Sequence, residues 1–195
     1  MVADLGRASA YGGALGGQVV VNARKGLSVG GRVDALGVAL QPFLTDVAGY
    51  DRLIGTGDLT LDFVAAGGSV AEMMRRVDGQ GRVSLGPGEV RGIDIPAMLA
   101  TLNAGQVGPQ EKTVFDSLSA SFDMDGGDLF NRDLLMAGPV VSAEGAGRIG
   151  LGARDLEYRI RPTALRGADG TGGISVPLWI TGSWAAPNFA LDLEA

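Results

Sequence analysis

Acidic side chains at short, regular spacing are the first candidates for chemistry in this chain. Asp58 and Asp62 stand four apart and Asp155 and Glu157 two apart, residue types that can serve as paired general acid and base. Such work needs a pocket that raises the pKa of one carboxyl. Here the flanking residues alternate in polarity, which puts each pair on the wet face of a strand beside Thr or Arg. Asp123-Met124-Asp125-Gly126-Gly127-Asp128 offers oxygen ligands for calcium but lacks the spacing and the distal Glu of an EF-hand loop, and it reads as a hairpin turn. Gly145-Ala146-Gly147-Arg148-Ile149-Gly150 spells G-x-G-x-x-G, yet a dinucleotide site requires a strand before it and a helix after. Leu151 to Arg161 reads as another strand, so these are glycines in a bent strand. The chain has no His and no Cys, which removes the usual general base, thiolate nucleophiles, disulfides and the commonest zinc and iron ligands. The residues thus predict no catalytic group, no metal and no cofactor.

Composition narrows the class further. Hydrophobic residues make up 46% of the 195, enough for a packed core, and the chain is expected to form a single domain over residues 1–195. Its 33 glycines show no collagen period and fall at strand ends and inside strands, as a curved sheet with bulges requires. With a net charge of −6 and no run of Arg or Lys longer than two, no nucleic-acid partner is expected. No apolar run is long enough to span a bilayer, and the opening residues are expected to be strand rather than signal peptide. The expectation is a soluble piece of a longer protein. Trp179 and Trp184 are expected to pack on a sheet edge.

The elements that must position these residues follow from periodicity. Strands are predicted over 3–11, 17–24 and 27–36. The spacing of Leu40, Phe43, Leu44 and Val47 then predicts an amphipathic helix with Pro42 in its first turn. Residues 56–65 alternate most clearly, Leu59, Leu61 and Phe63 opposing Thr56, Asp58, Thr60 and Asp62. Ser69-Val70-Ala71-Glu72 is a capping box for a helix over 70–77. Residues 80–85 and 89–93 read as a hairpin through Gly86-Pro87-Gly88. Asp94 caps a third helix striped by Ile95, Met98, Leu99 and Leu102. A polar loop is predicted over 103–112. Leu118, Ala120, Phe122 and Met124 then share one face of a strand; Pro139 to Gly150 is extended; Leu156, Tyr158 and Ile160 share a face of the next strand. A loop over Arg166 to Gly173 precedes closing strand sequence around Ile174 to Ile180. The fold class is mainly β: a large curved antiparallel sheet, a β-groove or partly open barrel, with three short amphipathic helices.

Areas then set a constraint. Roughly ten strands spaced about 4.8 Å and about 30 Å long give an apolar face of order 1,400 Å². Three helices of about two turns cover roughly 360 Å². Either the sheet curls over itself or part of the greasy face stays open as a groove for an equally apolar guest. The residues expected to line it are Leu59, Leu61, Phe63, Leu118, Phe122, Met124, Leu156, Tyr158 and Ile160.

Several segments, in order, resemble the C-terminal domain of the bacterial AsmA family. They are Gly55-Thr56-Gly57-Asp58-Leu59-Thr60-Leu61, Gly88-Glu89-Val90-Arg91-Gly92-Ile93-Asp94-Ile95, Leu118 to Met124, Glu144 to Leu151, Leu156-Glu157-Tyr158, and Val176-Pro177-Leu178-Trp179-Ile180 through Pro187-Asn188-Phe189. The resemblance covers nearly the whole chain. It implies the C-terminal part of a periplasmic protein anchored in the inner membrane. Such proteins look like β-grooves related to bridge-like lipid-transfer proteins and are associated with phospholipid movement toward the outer membrane. It implies no catalytic residues. The expected function is therefore non-enzymatic lipid binding or conduction in outer-membrane assembly, with phospholipid or another acyl-chain ligand and the envelope membranes as partners. The alternative is a capping module that docks on an envelope protein or membrane without a ligand of its own.

Overall fold

A computed structural model describes residues 2–23, 26–164 and 173–193. Three strands open the chain, β1 (Val2–Ala10), β2 (Gly13–Asn22) and β3 (Ser28–Ala39), followed by helix α1 (Leu40–Ala48). Strand β4 (Leu53–Ala66), helix α2 (Val70–Met74), strand β5 (Asp78–Ile93) and helix α3 (Ile95–Thr101) come next. Then strands alone follow: β6 (Val107–Phe115), β7 (Ser117–Asp125), β8 (Asp128–Ala137), β9 (Val141–Gly150) and β10 (Asp155–Ala164). The last three are β11 (Ile174–Ser175), β12 (Leu178–Ser183) and β13 (Pro187–Leu191). The expected loop over 166–173 lies almost wholly outside the described residues.

All thirteen described strands belong to one antiparallel sheet in the order β1-β2-β3-β4-β5-β7-β8-β9-β10-β12-β13. Strand β6 pairs with β5 beside β7, and β11 with β10 beside β12. Sequential hairpins explain this order, since an antiparallel neighbour needs only a tight turn. Strands β1 and β13 do not pair, so the sheet is open. It nevertheless curls. Phe189 of β13 and Ile180 of β12 pack against the same buried cluster as Leu53 of β4 and Val90 of β5, several strands away in the order.

Helix ends behave as their sequences require. Ser69 Oγ accepts from the Glu72 N–H (3.2 Å), while the Glu72 carboxylate accepts from Gly68 N–H (2.7 Å), one residue before the usual capping-box partner. Asp94 caps α3 by accepting from Ala97 N–H at 2.8 Å. Helix α2 stops at Met74, three residues short of its expected end, and Leu102 lies beyond α3 as its left-handed cap (φ 49°), 53% exposed. The Tyr11 hydroxyl donates to Asp46 at 2.9 Å, tying α1 to the β1–β2 turn.

Two expectations need correction, and one strand was not expected. Gly86-Pro87-Gly88 is not a hairpin turn but an interruption inside one 16-residue strand, β5. Leu85 pairs with Leu118 of β7 and Gly88 with Phe115 of β6, so the strand changes partner there. Pro87, which has no N–H to donate, sits where no ladder bond is needed. The 103–112 stretch is a loop only to Gln106; from Val107 it is strand. Strand β8 is a further element that alternation did not mark, because its inward side chains run Leu129, Asn131, Leu134, Met136, with a register shift between Asn131 and Leu134.

Candidate functional site

Directly paired residues of an antiparallel ladder share a face, so the register places the sheet's side chains. One row runs Val19, Gly31, Phe63, Gly79, Met124, Leu129, Ile149, Leu156, Gly182. The next runs Gly17, Val33, Leu61, Gly81, Phe122, Asn131, Gly147, Tyr158, Ile180, Phe189. A third holds Leu15, Ala35, Leu59, Val83 and Ala120 and continues past the β8 irregularity as Leu134, Gly145, Ile160, Leu178. Leu118 sits one row further, between Leu85 and Met136. All nine side chains expected to line a groove therefore lie on one apolar face.

Burial divides that face. Helix α3 supplies Met98 and Leu99, both 0% exposed, to a large cluster with Leu85, Phe115, Met136, Val141, Tyr158, Ile160 and Leu178. A smaller cluster of Ala65, Val77 and Met124 lies near α2, with Met73, Leu61, Phe63, Phe122 and Leu129 packed around it. Met124, Tyr158 and Ile160 thus sit inside the two cores. Leu59, Leu61, Phe63, Leu118, Phe122 and Leu156 are half-buried. Leu59 and Leu156 belong to neither core; nor do Leu15, Val19, Val21, Val29 and Val33 of β2 and β3, all half-buried. The helices have 9, 5 and 7 residues, about 13, 8 and 10 Å of helix. They cannot cover a sheet eleven strands wide, about 50 Å at the usual spacing. The β2 and β3 side chains were not singled out from sequence, although their alternation carried the same signal.

Glycine shapes this face. A β-carbon at Gly147 would fall 2.7 Å from the Tyr158 ring, and one at Gly88 2.7 Å from the Phe115 ring. The Phe122 ring lies likewise over Gly81. The G-x-G-x-x-G letters are thereby explained: Gly145 and Gly147 leave room for Tyr158 and Ile160 across the strand pair. The face carries a polar link between β8 and β10. The Tyr158 hydroxyl donates to the Asn131 amide oxygen, and the Asn131 amide donates to Ser121 O and Asp133 Oδ1, both at 2.8 Å. Burial, helped by the Asp133 charge, pushes the Tyr158 phenol up from its ordinary range.

Three of the four acidic candidates are engaged in hydrogen bonds or ion pairs. Asp58 accepts from Gly37 N–H at 2.7 Å, steadying a register shift in β3 where Gly37 has φ 61°. Asp62 lies 3.8 Å from Arg32, and Asp155 is hydrogen-bonded to Arg148 (3.1 Å), which holds its carboxyl below the usual range. Glu157 is exposed. No group of three or more metal-ligating side chains occurs among the described residues. Trp179 stands over Arg159 on the polar face, 5.3 Å from guanidinium to ring, and Trp184 donates to Asp155 O at 3.0 Å.

No helix among the described residues is long and apolar enough to cross a membrane. Neither a curated protein nor a solved structure matches the chain. The AsmA family description matches residues 5–134, ending within β8, so the resemblance of the closing segments lies beyond the matched span. That span is two thirds of the sequence, and it contains the half-buried face of β2 to β4. The chain belongs to the AsmA family, a membership that implies a role in envelope biogenesis and lipid transport and is generally non-enzymatic.

Proposed function

We propose that the apolar face of the sheet binds acyl chains and conducts phospholipid on the periplasmic side of the envelope, without catalysing a reaction. The observation that carries this reading is the continuous apolar ladder from β2 to β10 that leaves Leu15, Val19, Val33, Leu59 and Leu156 half-buried outside both cores. Half-buried side chains in such number on one face are stabilised when an apolar guest removes their remaining surface from water, at about 25 cal/mol per Å². Leu59, Leu61, Phe63, Leu118, Phe122 and Leu156 form the contact surface, while Met124, Tyr158 and Ile160 close it from the cores. A single domain over residues 1–195 is supported by a core that draws on strands from β4 to β13.

The test is lipid extraction and native mass spectrometry of the purified protein, combined with a photo-crosslinking side chain at Leu59 or, as control, at Thr60 on the opposite face. Phospholipid captured from position 59 and not from 60 is the expected result. An empty protein, or equal capture from both faces, sinks the reading. Leu59→Asp should strip the bound lipid while leaving the fold intact, since Leu59 belongs to neither core.

A further inference from the structure

The β12–β13 turn, the segment entering β4 and the adjoining ends of β5 and β6 line an open cavity of about 500 Å³, a size usual for small-molecule sites. Its wall includes Arg52, Arg91, Gly92, Val107, Pro109 and Phe189. The curl of the sheet makes it, by bringing Phe189 of β13 within reach of strands that are not its neighbours in the order.

The lining residues carry two guanidinium groups, Arg52 and Arg91, and one carboxylate, Asp51. Arg91 is hydrogen-bonded to Glu89 at 2.8 Å, but that carboxylate also serves Lys112 at 2.9 Å. Arg52 has no ion pair among the described residues. Its guanidinium lies along the backbone at Gly92, where a β-carbon would fall 3.2 Å from Nη1, and Gly92 has φ 95°, a conformation costly for other residues. A glycine therefore lets an unpaired cation fold into the cavity wall. A planar guanidinium suits two oxygens of a phosphate. The apolar floor is different in kind: it is supplied by Val107, Pro109 and Phe189, the last of which also packs against the large core.

We propose that this cavity is a headgroup site for a phosphate-bearing amphiphile, with Arg52 holding the phosphate and Phe189 receiving the start of the apolar body. The proposal rests on the acyl-chain reading above and assigns it a selectivity. A chain of net charge −6 holds a free anion weakly; the apolar floor supplies the additional binding that favours a lipid phosphate over an inorganic one.

Titration of the purified protein with short-chain phosphatidylglycerol, the matching uncharged diacylglycerol and inorganic phosphate tests it. Short-chain phosphatidylglycerol should bind about tenfold or more tightly than diacylglycerol, and phosphate should compete weakly. Arg52→Ala should erase that preference and leave diacylglycerol binding unchanged, with Arg52→Lys restoring part of it. The fold should persist, because the backbone oxygen of residue 52 still accepts from Arg91 N–H (2.8 Å). Equal binding of the two lipids, or a preference that survives Arg52→Ala, overturns the headgroup site while the acyl-chain reading stands. Inorganic phosphate binding as tightly as the lipid overturns the amphiphile. Failure of both lipids to bind removes the acyl-chain reading itself.

Discussion

Thr113→Val isolates two hydrogen bonds that seat α3 on the sheet. Thr113 is 1% exposed. Its hydroxyl accepts from Ile95 N–H at 3.0 Å and donates to Ile93 O at 2.9 Å, bridging the end of β5 to the first turn of the helix. Valine has nearly the same shape, so no cavity opens. The substitution leaves one backbone donor and one acceptor without that partner, beside side chains 6% and 7% exposed. Each such group costs about 1–3 kcal/mol, and the extra methyl returns about 1, for a net loss of about 1–5 kcal/mol. For a domain of this size that lowers the melting temperature by roughly 2–20 °C. Thermal and urea unfolding followed by circular dichroism measure it, and amide exchange in α3 should rise in parallel. Thr101→Val is the control. Its hydroxyl donates to Ala97 O at 2.7 Å but is exposed, so water replaces it and the change should stay within about 0.5 kcal/mol. Equal effects of the two substitutions would refute the claim that α3 is held by buried polar bonds rather than by Met98 and Leu99 alone.

Tyr158→Phe should cost about 1–3 kcal/mol by leaving the Asn131 amide oxygen unpaired. Because folding raises the Tyr158 pKa, its contribution is complete below about pH 10 and lost as pH climbs through the higher folded value, so the variant should show a flatter alkaline limb in unfolding. Gly147→Ala should destabilise by about 1–3 kcal/mol, since its β-carbon would meet Tyr158 Cα at 2.6 Å, whereas Gly86→Ala, with its nearest neighbour at 3.9 Å, should be neutral or slightly stabilising in the same melts. Lys112 and Arg91 hold the Glu89 carboxyl below its ordinary range. The stability it adds is present above about pH 4.5 and lost as pH falls through the lowered value, so Glu89→Gln should unfold with a weaker acid dependence in melts between neutral and acid pH.

Much of the architecture was legible because local signals agreed. The alternation of Leu59, Leu61 and Phe63, the caps at Ser69 and Asp94, and the Gly126-Gly127 turn each produced the expected element. The misreadings share a cause. Gly86-Pro87-Gly88 has the composition of a turn, and what makes it continuous strand is the change of partner from Leu118 to Phe115, a long-range fact. The Arg132-Asp133 irregularity in β8, where Asp133 accepts from Ser121 N–H at 2.8 Å, shifts alternation by one residue and hides the strand from any period-two pattern. The nine proposed lining residues could be placed on one face from sequence, but which of them lie inside a core depends on where α2 and α3 sit. The Arg52 cavity left no sequence signal at all, since it exists only where the curl brings Phe189 near Gly92.

Aromatic rings set against bare backbone tie neighbouring strands of this sheet together. Phe122 meets Gly81, Tyr158 meets Gly147 and Phe115 meets Gly88, and the last two rings are 9% and 0% exposed, so the space each glycine leaves is filled from the next strand. A one-residue slip would set each ring against a β-carbon instead, so the glycines help to fix the register of the strands they join. Replacing them with larger residues would loosen that lock, and the expected symptom is a lower melting temperature.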